Sequence, residues 1–150
     1  MDKPFVLLAD DNEGTCTLIR ALLQPEFAVH TVTDGQEAVE RLKARQYAAI
    51  LLDLLMPVSD GYAVLDFLRD EQPEVLARVL VITAAISPRE LARVRAYPIG
   101  GMIFKPFDID VLLSAVRDVA GHHPLPPMRG PLLSSGMLLL LADLLRQRWL

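Results

Sequence analysis

Four short apolar runs punctuate the chain, and each ends on a polar residue. Phe5 to Ala9 stops at Asp10-Asp11, Ala48 to Leu52 at Asp53, Val79 to Ile82 at Thr83, and Met102 to Phe104 at Lys105-Pro106. Runs this short without internal polar residues predict strands buried on both faces, as in a parallel sheet. Ala28 to Val32 is broken by His30 and predicts a strand nearer the sheet edge. Between the runs the apolar period lengthens to that of a helix. Leu18, Ile19, Leu22 and Leu23 share a face in the first helix, and the second opens at Asp34 with Glu37 three residues on, a capping-box start. The third follows Gly61 and carries Val64, Leu65 and Leu68. The fourth opens Ser87-Pro88-Arg89-Glu90, with an N-cap, a proline at the first helical position and an acid in the first turn. The fifth starts near Asp108 and places Val111, Leu112, Ala115, Val116 and Val119 on one stripe. Five strand–helix units predict an α/β, doubly wound, five-stranded parallel sheet with right-handed crossovers.

The pattern changes after Ala120. Residues 121–131 contain four prolines and two glycines and read as a Pro-rich linker. Residues 132–150 are leucine-rich, but Asp143, Arg146 and Arg148 interrupt them, so no membrane span is expected. An amphipathic helical tail from about Gly136, with Leu138, Leu141, Leu145 and Trp149 on one face, is the expectation there. It is too short for a helix-turn-helix, so no direct DNA binding is expected. The net charge of -4 points the same way, because a basic footprint is absent. The lone cysteine, Cys16, cannot form an internal disulfide and reads as a small buried helix residue. His30, His122 and His123 have no ligand pattern around them. The start, Met1 to Pro4, leads into an apolar stretch too short for a signal peptide, so a cytoplasmic protein is expected.

The chemistry sits at the strand ends. In parallel α/β sheets ligands bind outside the carboxyl ends of the strands, and this rim gathers Asp10, Asp11, Asp53, Thr83 and Lys105. Two carboxylates ~4 Å apart repel by roughly 4 kcal/mol at a protein-like dielectric. One lysine cannot balance three of them, whereas a hard dication such as Mg²⁺ (or Mn²⁺) would. Such a site suits phosphoryl transfer. Metal and Lys105 would neutralise the phosphoryl oxygens, Thr83 would donate a hydrogen bond, and a carboxylate would be the nucleophile. Asp53 ends a central strand before an exposed loop and is the best nucleophile; the adjacent Asp10 and Asp11 suit metal ligation. Taken singly, each residue has an ordinary explanation: an acidic helix start, an Asx-turn, a strand-end hydroxyl, a solvated lysine.

Together, Asp10-Asp11, Asp53 with Met56-Pro57 and Gly61, Thr83-Ala84 and Lys105-Pro106-Phe107 resemble the receiver domain of two-component response regulators, in its single-domain, chemotaxis-regulator-like form. The resemblance covers about residues 3–120 and implies a flavodoxin-like strand order 2-1-3-4-5. It implies that Asp53 is the phosphoacceptor, and that Asp11, Asp53 and the Leu55 carbonyl hold Mg²⁺ with help from Asp10. Thr83 and Lys105 would bind the phosphoryl group, and the Lys105-Pro106 bond would be cis. The donor would be a phosphohistidine on a sensor histidine kinase or phosphotransfer protein. Output would pass by protein contact, as a homodimer or by partner docking through helix 4, strand 5, helix 5 or the tail. The domain would catalyse only its own phosphoryl transfer and slow dephosphorylation.

Some positions depart from the family pattern. Met102 stands where an aromatic switch residue is usual, so the switch would rest on Thr83 with a flexible methionine. Leu55 and Ala85 occupy positions that tune attack by water; both are apolar, which predicts a long-lived phosphoryl state. Tyr97-Pro98-Ile99 replaces small residues before the fifth strand, so the fourth helix is expected to end early or sit differently. Two other classes fit less well. A phosphatase that forms an aspartyl-phosphate would want a second aspartate at Leu55. A flavodoxin-like cofactor binder would want a Gly/Ser/Thr-rich loop after the first strand.

Overall fold

A computed structural model of the chain describes residues 2–84 and 86–121. The expected linker beyond Gly121, the tail, His122, His123 and Ala85 lie outside the described residues. The element order is β1 (Phe5–Ala9), α1 (Glu13–Leu23), β2 (Ala28–Val32), α2 (Gly35–Ala44), β3 (Ala49–Leu52), α3 (Gly61–Glu71), a 3-10 turn (Pro73–Arg78), β4 (Val79–Thr83), α4 (Pro88–Arg95), β5 (Gly101–Phe104) and α5 (Ile109–Val119). The five strands form one sheet of order β2-β1-β3-β4-β5, with every pairing parallel.

Strand alternation divides the core into two layers. Leu7, Ala9, Ile50, Leu52, Val79 and Val81 pack against Ala38 and Leu42 of α2, Val64, Leu65 and Leu68 of α3, and Val94 of α4. Val6, Leu8, Ala49, Leu51, Leu80, Ile82 and Ile103 pack against Ile19 and Leu23 of α1 and Leu112 and Val116 of α5. Because both faces are covered, β1, β3 and β4 read as continuous apolar runs. The helix starts follow local chemistry. Asp34, Ser87 and Asp108 cap α2, α4 and α5 as expected, and Asn12 and Asp60 cap α1 and α3. Glu37 reaches back to the Thr33 amide at 3.1 Å.

Three expectations need correction. The run Met102–Phe104 is an edge strand, and Phe104 is 46% exposed, because among the described residues no strand pairs with β5 on its far side. Leu18 on α1 is 45% exposed and Val111 on α5 is 55% exposed. Each helix faces the sheet through a narrower stripe than its apolar sequence suggests. The third helix also begins at Gly61 rather than after it, with Asp60 as its cap.

Gly61 is a place where only glycine fits. A Cβ there would lie 2.6 Å from the Asp53 carbonyl oxygen and 2.8 Å from Leu54 Cα. Both are backbone atoms and cannot swing aside. Gly61→Ala is therefore expected to lower unfolding free energy by about 2 kcal/mol or more in urea titration. It should also displace the loop that carries Asp53.

Candidate functional site

Backbone pairing brings the rim residues together. The Asp10 amide donates to Val32 O at 3.1 Å, the Asp53 amide to Ala9 O at 2.9 Å, and the Lys105 amide to Thr83 O at 2.8 Å. These bonds extend the ladders one residue beyond β1, β3 and β5, so their side chains leave the sheet at the same end. Asp10 is 1% exposed and Asp53 7%, whereas Asp11, next in sequence, faces solvent. A carboxylate oxygen from each of Asp10, Asp11 and Asp53 lies within 4.8 Å of the other two.

Lys105 Nζ binds both buried acids, donating to Asp10 Oδ2 at 2.7 Å and to Asp53 Oδ2 at 3.3 Å. The other oxygens are tied to backbone: Asp10 Oδ1 accepts from the Asn12 amide at 2.9 Å and Asp53 Oδ1 from the Leu55 amide at 3.1 Å. Burial pushes the Asp53 carboxyl above its ordinary range; the Leu55 amide opposes this, Asp10 adds to it, and Lys105 opposes it. For Lys105, burial pulls the pKa down, but the bond to Asp10 and the charges of Asp10 and Asp53 win, and it ends raised. Thr83 is fully buried, and its hydroxyl has no hydrogen-bond partner. The Lys105–Pro106 peptide is cis.

Met102 is half-buried and packs on the α3/α4 side of the sheet. Leu55 is 63% exposed at the mouth of the site. One contributor escaped the sequence: Cys16 is only partly buried, and its Sγ donates to the Asp10 carbonyl at 3.3 Å, steadying the turn that carries the acids. Its place one turn into α1 was the available signal.

The sequence model of the response regulator receiver domain family matches residues 6–117. This chain belongs to that family. Among solved structures, the receiver domain of sensor histidine kinase PA1611 from Pseudomonas aeruginosa PAO1 is 27% identical with a TM-score of 0.71, covering 79% of this chain and 98% of the other. That receiver was crystallised with a magnesium ion coordinated in its active site cleft. The Vibrio cholerae chemotaxis protein CheY4 is 26% identical with a TM-score of 0.69, covering 78% of this chain and 98% of the other. Among curated proteins, the transcriptional regulatory protein TcrA of Mycobacterium tuberculosis (strain ATCC 25618 / H37Rv) is 32% identical over 134 residues, 88% of this chain. The chain spans 51% of that relative's length.

The receiver identity gives the acidic cluster a context. Receiver domains bind a divalent metal ion in this acidic pocket, and they act with a histidine kinase or phosphotransfer partner. The residues here fit such an ion: three hard oxygen donors converge, and among the described residues Lys105 alone ion-pairs with Asp10 and Asp53. Among the described residues, no helix is long and apolar enough to cross a membrane.

Proposed function

We propose that this receiver domain is a phosphorylation-dependent switch that takes a phosphoryl group onto Asp53 and changes its protein partners in response. The observation that carries this reading is Lys105 Nζ bonded to Asp10 and Asp53 together, beside a buried Thr83 hydroxyl that has no partner. A buried hydroxyl without a partner is unfavourable, and phosphoryl oxygens on Asp53 would satisfy it.

Asp11, Asp53 and the Leu55 carbonyl would hold Mg²⁺ (or Mn²⁺), with Asp10 assisting. The ion supplies positive charge opposite the phosphoryl oxygens. The chain's own residues do the rest. An oxygen of Asp53 attacks phosphorus as the P–N bond of a phosphohistidine breaks, and the imidazole of a sensor kinase or phosphotransfer protein departs. Lys105 moves its hydrogen bond from the Asp53 carboxylate to a phosphoryl oxygen. Thr83 donates to another, and Met102 repacks behind it. Output through α4, β5, α5 or the tail, by homodimerisation or partner docking, belongs to this proposal. So do a cytoplasmic setting without direct DNA contact, and a division into receiver (3–120), linker (121–131) and tail (132–150).

Incubation of the chain with acetyl phosphate and Mg²⁺, followed by intact mass, tests the reading. A gain of one phosphate is expected, and no gain at any Mg²⁺ concentration would overturn it. The lifetime of that product is a separate prediction. Leu55 is exposed at the site mouth and apolar, and Ala85 is apolar, so neither side chain can orient water for attack on phosphorus. The phosphorylated protein is expected to persist through desalting and repeated mass measurement. A half-life of seconds would contradict this.

A further inference from the structure

The loop after Thr83 leads directly into α4, and α4 is thinly anchored by apolar contact, with Val94 its buried side chain. Polar groups bind it to α3 instead. Tyr97, just beyond α4, is buried, and its hydroxyl donates to Asp66 Oδ1 of α3. Arg69 ion-pairs with Asp66 at 3.3 Å, and its guanidinium lies 5.8 Å from the Tyr97 ring. One turn earlier, between the first turn of α3 and the last turn of α4, the Arg93 guanidinium lies 3.6 Å from the centre of the Tyr62 ring. Tyr62 and Asp66 are four residues apart on α3, and Arg93 and Tyr97 are four apart along α4 and its end. That spacing puts Tyr62 and Asp66 on one face of α3, and their contacts with Arg93 and Tyr97 tie α3 to the end of α4 at two points.

The clamped arrangement is incomplete in its hydrogen bonding. Among the described residues, the buried side-chain hydroxyls of Thr83 and Tyr62 both lack partners. Thr83 ends β4 at the acidic rim, and Tyr62 lies on α3 beneath the Arg93 guanidinium of α4.

We propose that the Tyr97–Asp66 bond, backed by Arg93 over Tyr62, is a latch that holds α4 in its unphosphorylated position and sets how much of the phosphorylation signal reaches the α4–β5 surface. This rests on the switch proposed above. Engaging Thr83 on the phosphoryl oxygens draws its loop toward Asp53, and α4 follows only by breaking the latch. A contact made only in the resting state weakens binding of any ligand that favours the other state, by the worth of that contact.

The test measures beryllofluoride, a phosphoryl mimic, binding to the full chain with Mg²⁺ by calorimetry. Tyr97→Phe is expected to bind on the order of tenfold tighter, the worth of one hydrogen bond to a charged acceptor. Asp66→Ala removes the acceptor from a half-exposed position and should tighten binding similarly, which carries the test if Tyr97→Phe folds poorly. In ligand-free Tyr97→Phe, amides of α4 should exchange hydrogen faster while those of β1, β3 and β4 do not. Folded variants with wild-type affinity would overturn the latch and leave the switch standing. Wild-type protein that binds no beryllofluoride at any Mg²⁺ concentration would overturn the switch, and the latch with it.

Discussion

Asp53→Asn is expected to abolish phosphoryl uptake from acetyl phosphate and, in metal-free protein, to raise unfolding free energy by about 1 kcal/mol. The first effect follows from chemistry, since an amide oxygen is too weak a nucleophile to form an acyl phosphate. The second follows from the site's charge. Asp53 is 7% exposed and shares one lysine with Asp10, which is 1% exposed. Its pKa is raised first by burial, and Asp10 adds to that against the pull of the Leu55 amide and Lys105. An acid whose pKa rises on folding binds its proton more tightly when folded. Wild-type stability from this group is therefore fullest below the unfolded value. It declines as pH climbs through the folded one and is level above it. The variant lacks that decline, so the gap between the two proteins should open from acid toward neutral pH in urea titrations with EDTA. Added Mg²⁺ should close it by stabilising wild type more than the variant. Equal stability at every pH, or phosphate retained in Asp53→Asn, would count against the assigned role.

The contrast between Asp10 and Asp11 shows how far the sequence was legible. Strand ends could be read because each apolar run stops where the sheet leaves its covering helices. That placed three acids, a hydroxyl and a lysine at one rim. Pattern alone could not say which of two adjacent aspartates turns inward, because that depends on the ladder bond from the Asp10 amide to Val32. Edge position was equally hidden: Met102-Ile103-Phe104 has the composition of a buried strand, and its exposure follows from β5 being the last strand of the sheet among the described residues. Leu18 and Val111 mislead for the same reason, since an apolar residue costs little on the surface. The α3–α4 clamp was not legible as a contact, although Tyr97 stood out as a departure from the family pattern. Its partner Asp66 lies across a β–α unit and belongs to no motif. The short 3-10 turn at Pro73–Arg78 escaped because it has no apolar period of its own.

Lys105→Met is expected to be the most damaging single change to the folded site. The ammonium is the only cation hydrogen-bonded to Asp10 and Asp53 among the described residues, and both acids are too buried for water to replace it. Removing one partner from a buried charged group leaves the others uncompensated, a loss of about 3 kcal/mol. Methionine keeps the length and apolar stem, so packing should change little and the loss reports charge. Its pH dependence differs from that of Asp53→Asn. The Lys105 pKa is raised despite burial, through Asp10 first and then Asp53. The wild-type stability it supplies is thus complete below the ordinary lysine value and fades only as pH rises through the raised one. Without it, Asp53 loses a charge that lowers its pKa and holds its proton more tightly in the folded protein, so the variant's deficit should shrink as pH falls. Mg²⁺ should recover part of the stability at neutral pH by supplying charge to the same oxygens. Phosphoryl uptake should not recover equally, because the phosphoryl oxygens lose a fixed donor; its initial rate should fall on the order of 100-fold. A variant as stable as wild type in EDTA, or one phosphorylated within about twofold of its rate, would show that Lys105 is a bystander at this rim.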